Sequence, residues 1–181
     1  IRLLLTNRRR NTIIFVMDIE LIRALDKVQY GIVAKLADEI WHEHYSSILS
    51  PEQIDYMVGK FQSAEEIERS CADGAEYYIA CADGVPVGYI GLEFPEKECF
   101  LSKLYLKKEF RGLGIGKKMF ELAEKLAEEH GETSLMLHVN KYNASSIAVY
   151  GKRGFEKRCD LVTDIGEGYV MDDYVMVKKL A

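Results

Sequence analysis

The chain has 181 residues, of which 48% are hydrophobic, 10% aromatic and 29% charged, enough apolar material for a folded core and unlike a disordered or collagen-like composition. Its formal charge is −5; because Arg2, Arg8, Arg9 and Arg10 stand among the first sixteen residues without an acid, residues 17–181 carry −5 − 4 = −9. An acidic body disfavours nucleic acid as the main partner and suits cationic ones, and no apolar run reaches the roughly 18 residues of a membrane-spanning helix.

Residues 1–16 read as an extension ahead of a single domain over 17–181, with Met17 in the position of a natural first residue; too few apolar residues follow the arginines for a secretory signal. A strand is expected over Ile19–Leu25 and a helix over Lys27–Tyr45, with Val28, Ile32, Leu36 and Ile40 as its apolar stripe. Ser50-Pro51-Glu52-Gln53 and Ser63-Ala64-Glu65-Glu66 are capping boxes that start two more helices, the first burying Ile54, Met57, Val58 and Phe61, the second ending near Cys71. Glu76–Ala82 and Val85–Phe94, joined by Asp83-Gly84, predict a hairpin. A strand over Cys99–Leu106 follows, then a helix from Gly114 to His130 that buries Met119, Leu122, Ala123 and Leu126 and stops at Gly131. Ser134–Val139, Phe155–Val162 and Tyr169–Lys179 are strands, and Ala144–Tyr150 is a short helix. The order β-α-α-α-β-β-β-α-β-α-β-β predicts an α/β fold, a mixed sheet with packed helices.

Cys71, Cys81, Cys99 and Cys159 show no C-x-x-C spacing and no Cys/His cluster, which predicts four small buried residues, a reducing and therefore cytoplasmic setting, and no metal site. His42 and His44 are two apart on a helix and so face different ways, which argues against a shared metal. The acids of Asp164, Glu167, Asp172 and Asp173 beside Tyr169 and Tyr174 read first as a solvated turn and strand edge, and second as a collector of cationic amines.

The informative stretch is Leu104-Tyr105-Leu106-Lys107-Lys108-Glu109-Phe110-Arg111-Gly112-Leu113-Gly114-Ile115-Gly116-Lys117, a strand that runs through glycines into a helix. Bare backbone amides at a helix N-terminus make an anion site. A dinucleotide fingerprint would need glycine at 117 and a P-loop would need serine or threonine at 118, where lysines stand.

Arg111-x-x-Gly114-x-Gly116, with Asn143-x-x-Ser146-Ile147-x-x-Tyr150-x-x-x-Gly154-Phe155 downstream, resembles the paired signature of the GCN5-related N-acetyltransferases, across residues 17–181. The resemblance implies that family's single-domain fold, with a mostly antiparallel mixed sheet and helices on both faces. It implies acetyl-CoA as cosubstrate, no metal, and direct attack by a primary amine in a ternary complex. Arg111, Gly112, Leu113, Gly114, Ile115, Gly116 and Lys117 then match the loop that holds the pyrophosphate. Leu104, Tyr105 and Leu106 match the strand end that pairs with the pantetheine arm, the Leu104 amide facing the thioester carbonyl. Asn143 matches a contact to that arm, and Tyr150 the phenol that protonates the departing thiolate. No family position fixes the general base; Glu93, Glu98 and His138 are the candidates, and His42 or His44 lies where the family takes its acceptor. The expected acceptor is a small amine or polyamine, and a homodimer is compatible with the sequence. A catalytically silent acyl-CoA-binding module is the alternative.

Overall fold

The computed structural model describes residues 2–6 and 13–180; the basic run Arg8, Arg9 and Arg10 lies outside them. Strands β1 (Arg2–Thr6) and β2 (Ile13–Val16) pair antiparallel as a two-stranded sheet. The main body follows as β3 (Ile19–Arg23), α1 (Lys27–Tyr45), α2 (Pro51–Phe61), α3 (Ala64–Ala72), β4 (Glu76–Ala82), β5 (Val85–Glu93), β6 (Cys99–Leu106), α4 (Ile115–Glu129), β7 (Ser134–Asn140), α5 (Ala144–Lys152), β8 (Glu156–Gly166) and β9 (Tyr169–Lys179), with a 3-10 turn over Lys108–Phe110. The element order expected from residue 17 onward is present in full.

Local chemistry accounts for the boundaries. Asp26, Ser50, Ser63 and Asn143 each accept a hydrogen bond from the amide three residues on, which caps α1, α2, α3 and α5. Asp83 and Gly84, at φ 48° and 79°, form the turn expected between β4 and β5, and Gly131, at φ 77°, stops α4.

The seven strands lie in the order β3-β4-β5-β6-β7-β9-β8, antiparallel except for β6 and β7. Side chains alternate across the sheet and build two cores. One packs Leu92, Leu101, Leu135 and Leu137 under Met119, Phe120 and Ala123 of α4; the other packs Tyr77, Ile79 and Tyr89 under Val33, Ile40 and Trp41 of α1 and Ile54 and Met57 of α2.

Two expectations are corrected. Leu36 and Ile40 are buried as expected and Ile32 partly so, but Val28 is exposed, and Tyr30, Val33, Ala37 and Trp41 complete the buried face of α1. Residues four apart advance 400° around a helix, so a strict spacing of four drifts off the core-facing line. Cys159 is also exposed, because β8 is the edge strand and most of it faces solvent; Cys81 and Cys99 are buried as expected, and Cys71 is partly so.

Gly88 lets β5 and β6 approach closely: a Cβ there would stand 2.5 Å from the carbonyl oxygen of Tyr105 and 3.1 Å from Cα of Leu106. Gly59 in α2 has nothing within 4 Å of its would-be Cβ. Gly88→Ala should therefore destabilise the fold by about 1–3 kcal/mol, and Gly59→Ala should stabilise it by up to about 1 kcal/mol, as read by urea unfolding.

Candidate active site

The site begins where two strands part. β6 and β7 pair only at Cys99 with Leu135 and Phe100 with Met136; past these residues the strands diverge. The register of β5 with β6 shifts between Gly91 and Leu92, leaving Ser102 as an extra residue whose hydroxyl donates to the Gly91 carbonyl at 3.2 Å. Such a bulge bends the strand that carries it.

On its other edge β6 stays in register with β5 as far as Leu106 opposite Gly88, and the Lys107 amide continues by donating to the Val87 carbonyl at 2.9 Å. Antiparallel ladders alternate bonded and non-bonded pairs. Tyr105 and Lys103 therefore exchange bonds with Tyr89 and Gly91, while Leu104 and Leu106 turn their N–H and C=O groups toward the gap that β7 has left. The Leu106 carbonyl accepts from Nε of Arg111 at 3.0 Å. Leu104 keeps both backbone groups available in the gap, and Leu106 keeps its N–H.

The glycine loop closes one end of the gap. Gly112 and Gly114 take φ values of 78° and 88°, which side chains rarely adopt, and Gly114 opens α4 as its N-cap without a side-chain hydrogen bond. Every other α-helix of the body is capped by a side chain. The first amides of α4, at Ile115, Gly116 and Lys117, thus face outward with the positive end of the helix dipole behind them, ready for an anion. Only backbone serves this role at Ile115, whose side chain is in the core, and Leu113 points to solvent.

These groups border a cleft of about 430 Å³ on the α4/α5 face. Arg111, Gly112, Gly114, Gly116, Lys117, Leu104, Tyr105, Leu106, Asn143 and Tyr150 all line it. The Tyr150 ring stands edge-on to Phe120, centroids 6.1 Å apart, and burial pushes its phenol well above the ordinary value, so it carries its proton at neutral pH. His44 and Asn143 meet at the mouth.

A second cavity, of about 340 Å³, lies on the opposite face under α1 and α2. Trp41, Tyr45, Gln53, Met57 and Phe61 roof it, and Lys103, Tyr105, His138, Asn140 and Asp173 rise from the sheet. Its outer wall is pinned: Tyr56 and Lys60 of α2 both donate to the Ile165 carbonyl in β8, at 2.5 and 2.6 Å. The two cavities share Tyr45, Ser102, Tyr105 and His138. The gap between β6 and β7 is thus a passage through the sheet.

Among the candidate bases, His138 alone lines both cavities. Burial lowers its pKa below the usual value, opposed by Glu93 and aided by Lys103, so the imidazole is neutral at physiological pH. Glu93 lines neither cavity. Glu98 lies at the closed end of β6, where the Arg158 guanidinium and the Ser134 hydroxyl hold its carboxyl below the usual range. His42 faces away, bonded to Asp38 and Asp55. Of the acidic tail, Asp164 and Glu167 are exposed as a solvated turn would be and Asp172 pairs with Lys141 at 2.5 Å; Asp173, 4% exposed, lines the second cavity and alone corrects the solvated reading. Ser102 and Lys103 were not expected here; two adjacent polar residues that break the alternation of an apolar strand are the signal that marks the bulge.

Among the described residues no three His, Cys, Asp or Glu side chains gather to hold a metal, and no helix is long and apolar enough to cross a membrane.

The model of the acetyltransferase (GNAT) family matches residues 34–155. The chain belongs to that family and is an acetyl-CoA-dependent N-acetyltransferase. Over 145 residues it is 32% identical to the spermidine N(1)-acetyltransferase of Thermoplasma acidophilum, covering 77% of this chain and 89% of that protein. The crystal structure of PaiA N-acetyltransferase from Thermoplasma acidophilum in complex with coenzyme A superposes with a TM-score of 0.75 at 27% identity, over 91% of this chain and 99% of that one.

Burial, with Asp172 adding to it and Lys141 opposing, raises the Asp173 pKa from 3.8 to about 6. The folded state therefore binds the proton more tightly than the unfolded one, and stability falls as pH rises through that window. Asp173→Asn removes this loss: relative to wild type, the variant should gain about 1–3 kcal/mol at neutral pH and nothing below about pH 4, by urea unfolding at both values.

Proposed function

We propose that the enzyme acetylates a small primary amine or polyamine by direct transfer in a ternary complex, with acetyl-CoA in the α4/α5 cleft and the amine in the α1/α2 cavity. The observation that carries this reading is the meeting of the two cavities at the parted strands, where Tyr45, Ser102, Tyr105 and His138 belong to both. Two substrates reaching that junction from opposite faces can react without a covalent enzyme intermediate.

In this reading the amides after Gly114 and the Lys117 side chain receive the pyrophosphate, and the open edge of β6 pairs with the pantetheine arm as a further strand. The Leu104 N–H faces the thioester carbonyl and stabilises the oxygen as negative charge gathers on it. His138, neutral through burial, takes a proton from the amine, whose nitrogen bonds to the carbonyl carbon. The carbon–sulfur bond then breaks, and the Tyr150 phenol supplies its proton to the leaving sulfur.

The acceptor assignment draws on Asp173 and on the similarity to a spermidine acetyltransferase. Asp173 gives the cavity one buried acid, and Lys103, whose pKa burial lowers, stands on the far side of β7, so a second ammonium of the acceptor belongs at the Asp173 end. The cytoplasmic setting expected from the cysteines and the single domain over 17–181 are part of the same proposal.

Thiol release from acetyl-CoA across amines, polyamines, amino acids and peptides tests the acceptor. Spermidine or a related polyamine should turn over, and Asp173→Asn should raise its KM about tenfold with acetyl-CoA affinity unchanged, as loss of a charged contact would. Turnover confined to peptide N-termini would refute the assignment.

Tyr150→Phe should lower kcat about 10²-fold or more while acetyl-CoA binding by calorimetry stays near wild type, because the lost proton matters only as sulfur departs. His138→Gln should lower kcat comparably and remove the fall in kcat at acid pH, measured with both substrates saturating.

A further inference from the structure

One hydrogen bond joins the two helices at the cleft mouth. Nδ2 of Asn143, at the start of α5, lies 2.9 Å from Nε2 of His44, near the end of α1. The direction of this bond follows from the other half of the amide. Oδ1 of Asn143 accepts from the Ser146 amide at 3.2 Å, as the cap of α5, and from the Ser145 hydroxyl at 3.1 Å. Both of its lone pairs are in use, so the carboxamide cannot flip and the nitrogen must face His44. That nitrogen has only hydrogens to offer. Nε2 of His44 must therefore bring a lone pair, and the imidazole must be the neutral tautomer with its proton on Nδ1.

Asn143 is 4% exposed yet lines the cleft. With its oxygen committed to two serines and one N–H to His44, its other N–H faces the Tyr45 phenol, so the whole carboxamide is held in place at the cleft wall. His44 has its own surroundings: Arg111 across the mouth, Tyr45 edge-on with centroids 4.8 Å apart, and Glu43 on the same helix.

We propose that His44 is a positioning residue for acetyl-CoA: through its unprotonated Nε2 it fixes the Asn143 carboxamide and clasps the end of α1 to the start of α5, so that protonation of His44 opens the clasp and weakens acetyl-CoA binding. This rests on the reading of the α4/α5 cleft as the acetyl-CoA site. A protonated ring has two donors and no acceptor, so it cannot receive the Asn143 hydrogen, and it would stand beside the Arg111 cation. Burial and Arg111 both hold the His44 pKa below its ordinary value, with Glu43 opposing them. The clasp is thus closed at neutral pH and lost as the medium becomes acidic enough to protonate the ring.

Glutamine separates this role from simple packing, since its Oε1 reaches about as far as Nε2 and accepts a hydrogen bond but does not titrate. Calorimetric titration of acetyl-CoA into wild type, His44→Ala and His44→Gln is done at about pH 7.5 and about pH 5.5. At the higher pH His44→Ala should bind about fivefold more weakly than wild type, the factor expected for one net hydrogen bond, and His44→Gln should restore most of the loss. On acidification wild type should weaken and His44→Gln should not. In the free protein, ¹⁵N spectra of the imidazole should show the Nδ1–H tautomer, a readout that needs no ligand.

An Nε2–H tautomer overturns the clasp, whatever the titrations give. Unchanged affinity in a folded His44→Ala variant, or a His44→Gln variant that weakens with acid as wild type does, overturns the positioning role alone. A wild type that binds no acetyl-CoA overturns the cleft reading and this role with it.

Discussion

A strand buried in a sheet must satisfy its backbone on both edges, and β6 satisfies only one. Its bonds to β5 run as far as Leu106, but those to β7 stop after Phe100. Unpaired backbone groups within a fold are costly unless something else meets them. The groups around Leu104 therefore want a strand-like partner, and the fold holds the gap open on every side. Gly88 lets the β5 backbone approach β6 closely, the Ser102 bulge bends β6 away, and Arg111 occupies the Leu106 carbonyl. An acyl carrier with amide groups along its arm has the shape and chemistry that such an edge lacks.

The groups around the same junction are withdrawn from solvent, and that burial sorts protons. Burial drives Tyr150 to stay protonated, His138 to stay neutral and Asp173 to resist ionisation. All three shifts disfavour charge in the empty enzyme, and all three residues line the cavities that the reactants would fill. A cationic substrate would relieve the penalty on Asp173, so a site that costs stability when empty recovers it when occupied.

Much of the architecture was legible in the sequence because local rules decided it. The capping boxes at Ser50 and Ser63, the Asp83-Gly84 turn and the glycines before α4 sit where they were expected, and the bounds Lys27–Tyr45, Glu76–Ala82, Cys99–Leu106 and Tyr169–Lys179 coincide with the elements. What escaped depends on which element covers which. Asp173 and Asp172 are neighbours of the same type; one is buried under α1 and α2 and the other pairs with Lys141, because alternate residues of β9 face opposite sides of the sheet. Glu98 is equally acidic but lies at the closed end of β6 beside Arg158. The bond between His44 and Asn143 joins residues 99 positions apart in the chain, which no local pattern encodes.

The pinning of the α2 wall bears on how such an enzyme changes over evolutionary time. Tyr56 and Lys60 reach a backbone carbonyl, that of Ile165, and so tie α2 to the β8–β9 hairpin without depending on side chains in the hairpin. The residues that face the α1/α2 cavity from those elements, among them Gln53, Met57, Thr163 and Val170, are then free to vary while the wall keeps its place. On the opposite face Leu104, Leu106 and the first turn of α4 present backbone groups, which an exchange of side chains leaves in place, beside the Arg111, Lys117, Asn143 and Tyr150 side chains. If the α1/α2 cavity takes the acceptor as proposed, descendants of one ancestor change acceptor by exchanging a few of its side chains while the pinned wall and the backbone edge of β6 stay as they are.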